Sequence, residues 1–89
     1  MKIPKDAQIH SFKLYNRVSL NRDFTEYKLR KGDVGTLVEL VPHPEGKEQG
    51  AVLEIFNALG VSLQVVAIPI SAIENLKDNE ILSVRKLAS

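Results

Sequence analysis

Leu29-Arg30-Lys31-Gly32-Asp33-Val34-Gly35-Thr36-Leu37-Val38-Glu39-Leu40 is the stretch on which the fold turns. A charged approach runs into a glycine, and a β-rich segment leaves it. Gly32 is expected to take a positive φ in a turn, where a side chain would be strained. Asp33 can hydrogen-bond back to the turn backbone. Val34–Val41 reads as a strand, apolar on both faces over part of its length. Gly35 inside it points to a bulge or a close backbone approach.

On the N-terminal side, Phe12, Leu14, Val18 and Leu20 alternate with polar residues. This period predicts a first strand near Tyr15–Asn21. Arg22–Lys31 then forms a long charged loop. On the other side, Pro42–Gly50 is rich in Pro, Gly and charge and reads as a loop. Ala51–Phe56 is a third strand, Asn57–Gly60 a hairpin connection and Val61–Ile68 a fourth strand stopped by Pro69. Ser71-Ala72-Ile73-Glu74 reads as a single turn capped by Ser71, and Ile81–Leu87 as the last strand. The fold class expected is all-β: a small five-stranded SH3-like barrel with one short 3-10 turn. Residues 1–13 form a flexible N-terminal arm and residues 14–89 a single domain. Val18, Val34, Val38, Leu53, Ile55 and Val84 are the expected core.

The block at residues 29–39, the Leu53–Phe56 strand, the apolar strand closed by Ile68-Pro69, and Ile73 and Leu76 together resemble DUF4926, a family of small bacterial proteins of unknown function. The resemblance covers roughly residues 14–77. The chain departs from the family pattern in its longer Pro42–Gly50 loop and its polar N-terminal arm. The resemblance implies a separately encoded protein partner and no particular activity. Gly-Asp-Val-Gly also resembles turns of KOW segments, which contact nucleic acid.

Composition narrows the function. The chain has 89 residues, no cysteine and a formal net charge of +1. No disulfide framework or thiolate metal site is possible. The near-neutral balance argues mildly against a dedicated nucleic-acid binder. The N-terminus lacks the apolar core of a secretory signal, and no run approaches the ~20 apolar residues of a membrane helix; a cytoplasmic location is expected. His10 and His43 lie far apart and read as solvated loop residues, so no metal and no cofactor are expected. Nothing resembles a nucleophile–base arrangement, and an enzyme is not expected. Glu39 and Glu54 read as outward-facing strand residues. Gly32-Asp33-Val34-Gly35 lacks the Gly-Lys-Ser/Thr and helix of a phosphate loop.

Two surfaces remain. Lys28, Arg30, Lys31, Arg85 and Lys86 could gather, with Arg22, into a basic patch on phosphates. Phe24 and Tyr27 beside it either anchor the loop to the core or offer a platform for a base or an extended peptide. The fourth strand is apolar on both faces, so one set of its side chains needs a cover outside the barrel. Gln64, Val66 and Ile68 are assigned to that outward set and form the candidate protein interface, with the arm as the alternative cover. The function read from these features is a non-enzymatic protein-interaction module, pairing with itself or a separately encoded protein. The alternative is a KOW-like nucleic-acid-contacting barrel.

Overall fold

The computed structural model describes residues 12–43 and 45–87. It is all-β, a five-stranded antiparallel sheet: β1 (Arg17–Leu20), β2 (Val34–Val41), β3 (Gly50–Phe56), β4 (Ser62–Pro69) and β5 (Ile73–Asn75), in spatial order β4-β3-β2-β1-β5. Among the described residues no hydrogen-bonded ladder closes the sheet into a barrel: β4 and β5 are its two edges. Two 3-10 turns accompany it, at Thr25–Tyr27 and Ile70–Ala72. The first falls in the segment expected to be irregular loop, so the single turn expected becomes two.

Punctuation explains the strands. Gly32 has φ +93°, as expected. The Arg30 N–H donates to Asp33 Oδ2 at 2.7 Å, and the Asp33 N–H to the Arg30 carbonyl at 2.9 Å. The turn therefore satisfies its own polar groups and launches β2. At the far end of β3, Asn57 Oδ1 accepts from the Leu59 and Val61 N–H groups at 2.9 and 3.0 Å. Gly60 sits at φ +84° and closes the hairpin.

The core lies on one face of the sheet. Val18, Leu37, Ala51, Leu53 and Ala72 are fully buried, with Leu20, Leu29, Ile55, Val66, Ile68, Ile70 and Ile73 close behind. Val18, Leu53 and Ile55 were expected there. Val34 and Val38 are only half-buried, and strand alternation accounts for this. Gly35 faces Val18 across the β1–β2 ladder and Leu37 faces Leu53, so Val34 is driven to the opposite face. The register shifts between Leu37 and Glu39. This bulge at Val38 lets Leu37 and Leu40, three apart, both meet the core side.

The expected last strand over Ile81–Leu87 is not formed, and Val84 is 92% exposed rather than buried. The fifth strand is instead Ile73–Asn75, which pairs with β1 through Leu20↔Ile73, Ser19↔Glu74 and Val18↔Asn75. Residues 81–87 are rich in apolar and β-branched side chains, as a strand would be, but β5 already fills the outer side of β1. The 3-10 turn spans Ile70–Ala72, with Pro69 before it and no side-chain cap. Ser71 thus lies within the turn and does not cap it. The expected arm over residues 1–13 lies outside the described residues except for Phe12 and Lys13.

Candidate interaction surface

The two edges of the sheet are built differently. β5 is three residues long and carries Glu74. Short, charged edges are poor templates for another strand. β4 is eight residues long, and no charged side chain occurs between Glu54 and Glu74. Its outer side is unpaired among the described residues.

The two faces of β4 are the reverse of the sequence expectation. Val66 and Ile68, assigned outward, are core residues at 4% and 3% exposure. They lie opposite Leu53 and Ala51, which also face the core. Gln64 is half-buried, and its amide donates to the Tyr27 carbonyl at 2.9 Å, tying the long loop to the strand. Its polarity marks a loop contact and not a solvated face. The exposed set is Leu63 (45%), Val65 (59%) and Ala67. Phe56 and Val61, at the hairpin end, extend this apolar surface.

Residues 81–87 cross the same side of the molecule. A groove of about 610 Å³ separates them from the sheet, with Arg17, Thr36, Phe56 and Leu63 on one wall and Leu82 and Leu87 on the other. One side chain anchors the segment. The Arg85 guanidinium grips Asp33 with two nitrogens: Nε donates to Oδ1 at 2.8 Å, and Nη2 reaches Oδ2 and also donates to the Lys28 carbonyl at 3.1 Å. Partial burial pushes the Asp33 carboxyl up. The hydrogen bonds from Arg85 and the Arg30 N–H, with the charges of both arginines, outweigh it and hold the carboxyl below its ordinary range. Asp33 in turn raises the Arg85 pKa by accepting its hydrogen bonds, against the cost of desolvation.

This pairing divides the expected basic patch. Arg85 is consumed by Asp33, while Lys28, Arg30, Lys31 and Lys86 are exposed. Acidic groups interleave with them: Asp23 Oδ1 accepts the Lys31 N–H at 2.8 Å, and Glu26 lies in the turn before Lys28. Arg22 is engaged elsewhere, donating to Ser71 Oγ at 3.0 Å. The Ser71 N–H and hydroxyl donate to Glu48, at 2.9 and 3.2 Å. The bond from the Ser71 N–H, then that from its hydroxyl and the charge of Arg22, lower the Glu48 pKa against a small desolvation. Phe24 and Tyr27 stand 6.4 Å apart and pack against the core. They anchor the loop, which is the plainer of the two expectations.

Gly35 makes the expected close approach: a Cβ there would lie 2.8 Å from Ile55 Cδ1. His43 Nδ1 accepts the Glu45 N–H at 3.1 Å in a loop, and His10 lies outside the described residues. Among the described residues no cluster of His, Asp and Glu could hold a metal, and no helix is long and apolar enough to cross a membrane. Compared with protein-family models, curated proteins and solved structures, the chain finds no match.

Proposed function

We propose that this chain is a non-enzymatic protein-interaction module built on an SH3-like meander, and that β4 meets the partner. The order β4-β3-β2-β1-β5, with a 3-10 turn between β4 and β5, supports the SH3-like reading. Membership of the DUF4926 family belongs to the same reading and rests on the block at residues 29–39. The observation that carries the function is the eight-residue, uncharged edge of β4, unpaired among the described residues, beside exposed Leu63 and Val65. Extended chains add to such edges through main-chain hydrogen bonds, and flanking apolar side chains supply the contact area. The groove under residues 82–87 continues this surface at Phe56 and Leu63.

The KOW-like alternative rests on Lys28, Arg30, Lys31 and Lys86. It is the weaker reading, because Arg85 is neutralised by Asp33 and acids interleave with the rest. Affinity capture from the native cell, with and without nuclease, separates the two. A protein should be recovered that resists nuclease, is lost with Val65→Lys and is kept when Lys28, Arg30 and Lys31 are changed to Gln. Recovery of nucleic acid alone, lost with those three changes, overturns the proposal.

A further inference from the structure

We infer that the occupant of the β4 edge is a second copy of this chain, joined antiparallel about a two-fold axis at Val65. This deepens the protein-binding reading and rests on it. A two-fold joint sets a strand against its own sequence, so any charge on it would meet its like. β4 is free of this conflict, since the chain carries no charge from Ile55 to Ile73. In the adjoining strand, Glu54 lies opposite Val65 in the β3–β4 ladder. In the joined sheet the two copies of Glu54 stand three strand spacings apart, about 14 Å, beyond the ~8 Å screening length at physiological salt. A net charge of +1 adds little long-range repulsion.

The register follows from the side chains. Placing Val65 on the axis sets Val65 against its own copy and Leu63 against Ala67, so all three outward residues of β4 meet apolar partners. The pairing spans Ser62 to Ile68 and leaves Pro69, which has no N–H, at its end. A slip of one residue would set outward side chains against core-facing ones. On the core side Gln64 stays bonded to Tyr27, so the long loop flanks the joint without losing its own contact. The joined edge is shorter than a standard interface of roughly 1,600 Å² requires, so the association is weak and depends on concentration.

Sedimentation of the purified chain from about 10 μM to about 1 mM spans the expected range. Monomer should dominate at the low end and dimer at the high end, with Val65→Lys weakening the dimer at least about tenfold. At the dilute end, where monomer dominates, the urea midpoint should stay unchanged, because Val65 is 59% exposed. The chain has no cysteine, so single cysteines report proximity cleanly. With a short bis-maleimide, Val65→Cys should link two chains about 10-fold or more faster than Leu59→Cys or Val84→Cys, through the effective concentration of the joint. Those control positions are more exposed, at 89% and 92%, and would react faster if collisions alone governed the rate. A chain monomeric at 1 mM with rates ranked by exposure overturns the inference, and so does a dimer that survives Val65→Lys. If the chain is monomeric while Val65→Lys still abolishes capture of another protein, the inference fails and the protein-binding reading stands. If Val65→Lys alters neither association nor capture, both fail.

Discussion

Replacing Gly35 by alanine tests the packing of β2 against the core. Gly35 lies on the core side, opposite Val18. A Cβ placed there would sit 2.8 Å from Ile55 Cδ1, 3.3 Å from Leu53 Cβ and 3.4 Å from Leu53 Cδ1. Ile55 is 6% exposed and Leu53 fully buried, so the terminal methyl of Ile55 has little room to swing away. Overpacking of this kind costs about 1–3 kcal/mol. Alanine returns about 0.4–1 kcal/mol by restricting the unfolded chain. Gly35→Ala should therefore destabilise by about 1–2 kcal/mol. The collision is mostly with one atom, and Ile55→Val deletes it. Alone, Ile55→Val should cost about 0.5–1.5 kcal/mol. In that background the alanine methyl occupies vacated space, and Gly35→Ala should cost only a few tenths, through the remaining contact with Leu53 Cβ. The double-mutant cycle should yield a favourable coupling of about 1 kcal/mol. Urea unfolding followed by circular dichroism supplies the four free energies. Equal costs of Gly35→Ala in the two backgrounds, or a stabilised single variant, would refute the stated packing.

Other perturbations probe other layers. Leu53→Ala, at a fully buried position, should cost about 2–5 kcal/mol in the same assay; an unchanged midpoint would place Leu53 off the core. Gly32→Ala should cost about 1–3 kcal/mol through backbone strain alone, since φ is +93° and nothing lies within 4 Å of the added methyl. Gly32→Asn should cost less, because asparagine tolerates positive φ. Asp33→Asn should cost about 1–3 kcal/mol at pH 7, the ion pair being 17% and 27% exposed on its two sides. Because the folded pKa of Asp33 is depressed, the unfolded chain binds more protons in the acid range, and stability rises with pH there. The contribution is complete above about pH 5 and fades as pH falls through ~3.9 towards the folded value. The gap between wild type and Asp33→Asn should therefore shrink from pH 7 to pH 3; a constant gap would detach Asp33 from the effect.

Much of the fold was legible wherever glycine and proline punctuate the chain. β2 matches its expected range and β3 differs by one residue, because Gly32, Pro42, Gly50 and the Asn57–Gly60 hairpin bound them. The Gly32 φ and the Asp33 turn bond follow from local chemistry and are found. The misreadings have a shared cause, in that local sequence does not reveal which partner is available. Residues 81–87 hold Ile81, Leu82, Val84 and Leu87 and so have a strand's composition, yet the place beside β1 is held by Ile73–Asn75. On β4 both faces are apolar. Gln64 was grouped with the outward set, whereas its amide is spent on the Tyr27 carbonyl, 37 residues away in the chain. Arg85 and Asp33 lie 52 residues apart, so nothing local distinguishes that arginine from the exposed lysines with which it was grouped.

The most direct test of the account places a photo-reactive benzophenone side chain at Val65 or at Lys31 of the full chain in its native cell. Irradiation should yield covalent adducts with protein from position 65, a second copy of this chain among them, and little from position 31. Nuclease-sensitive adducts from position 31, with none from position 65, would contradict the central claim that the uncharged edge of β4, and not the basic loop, is the working surface of this protein.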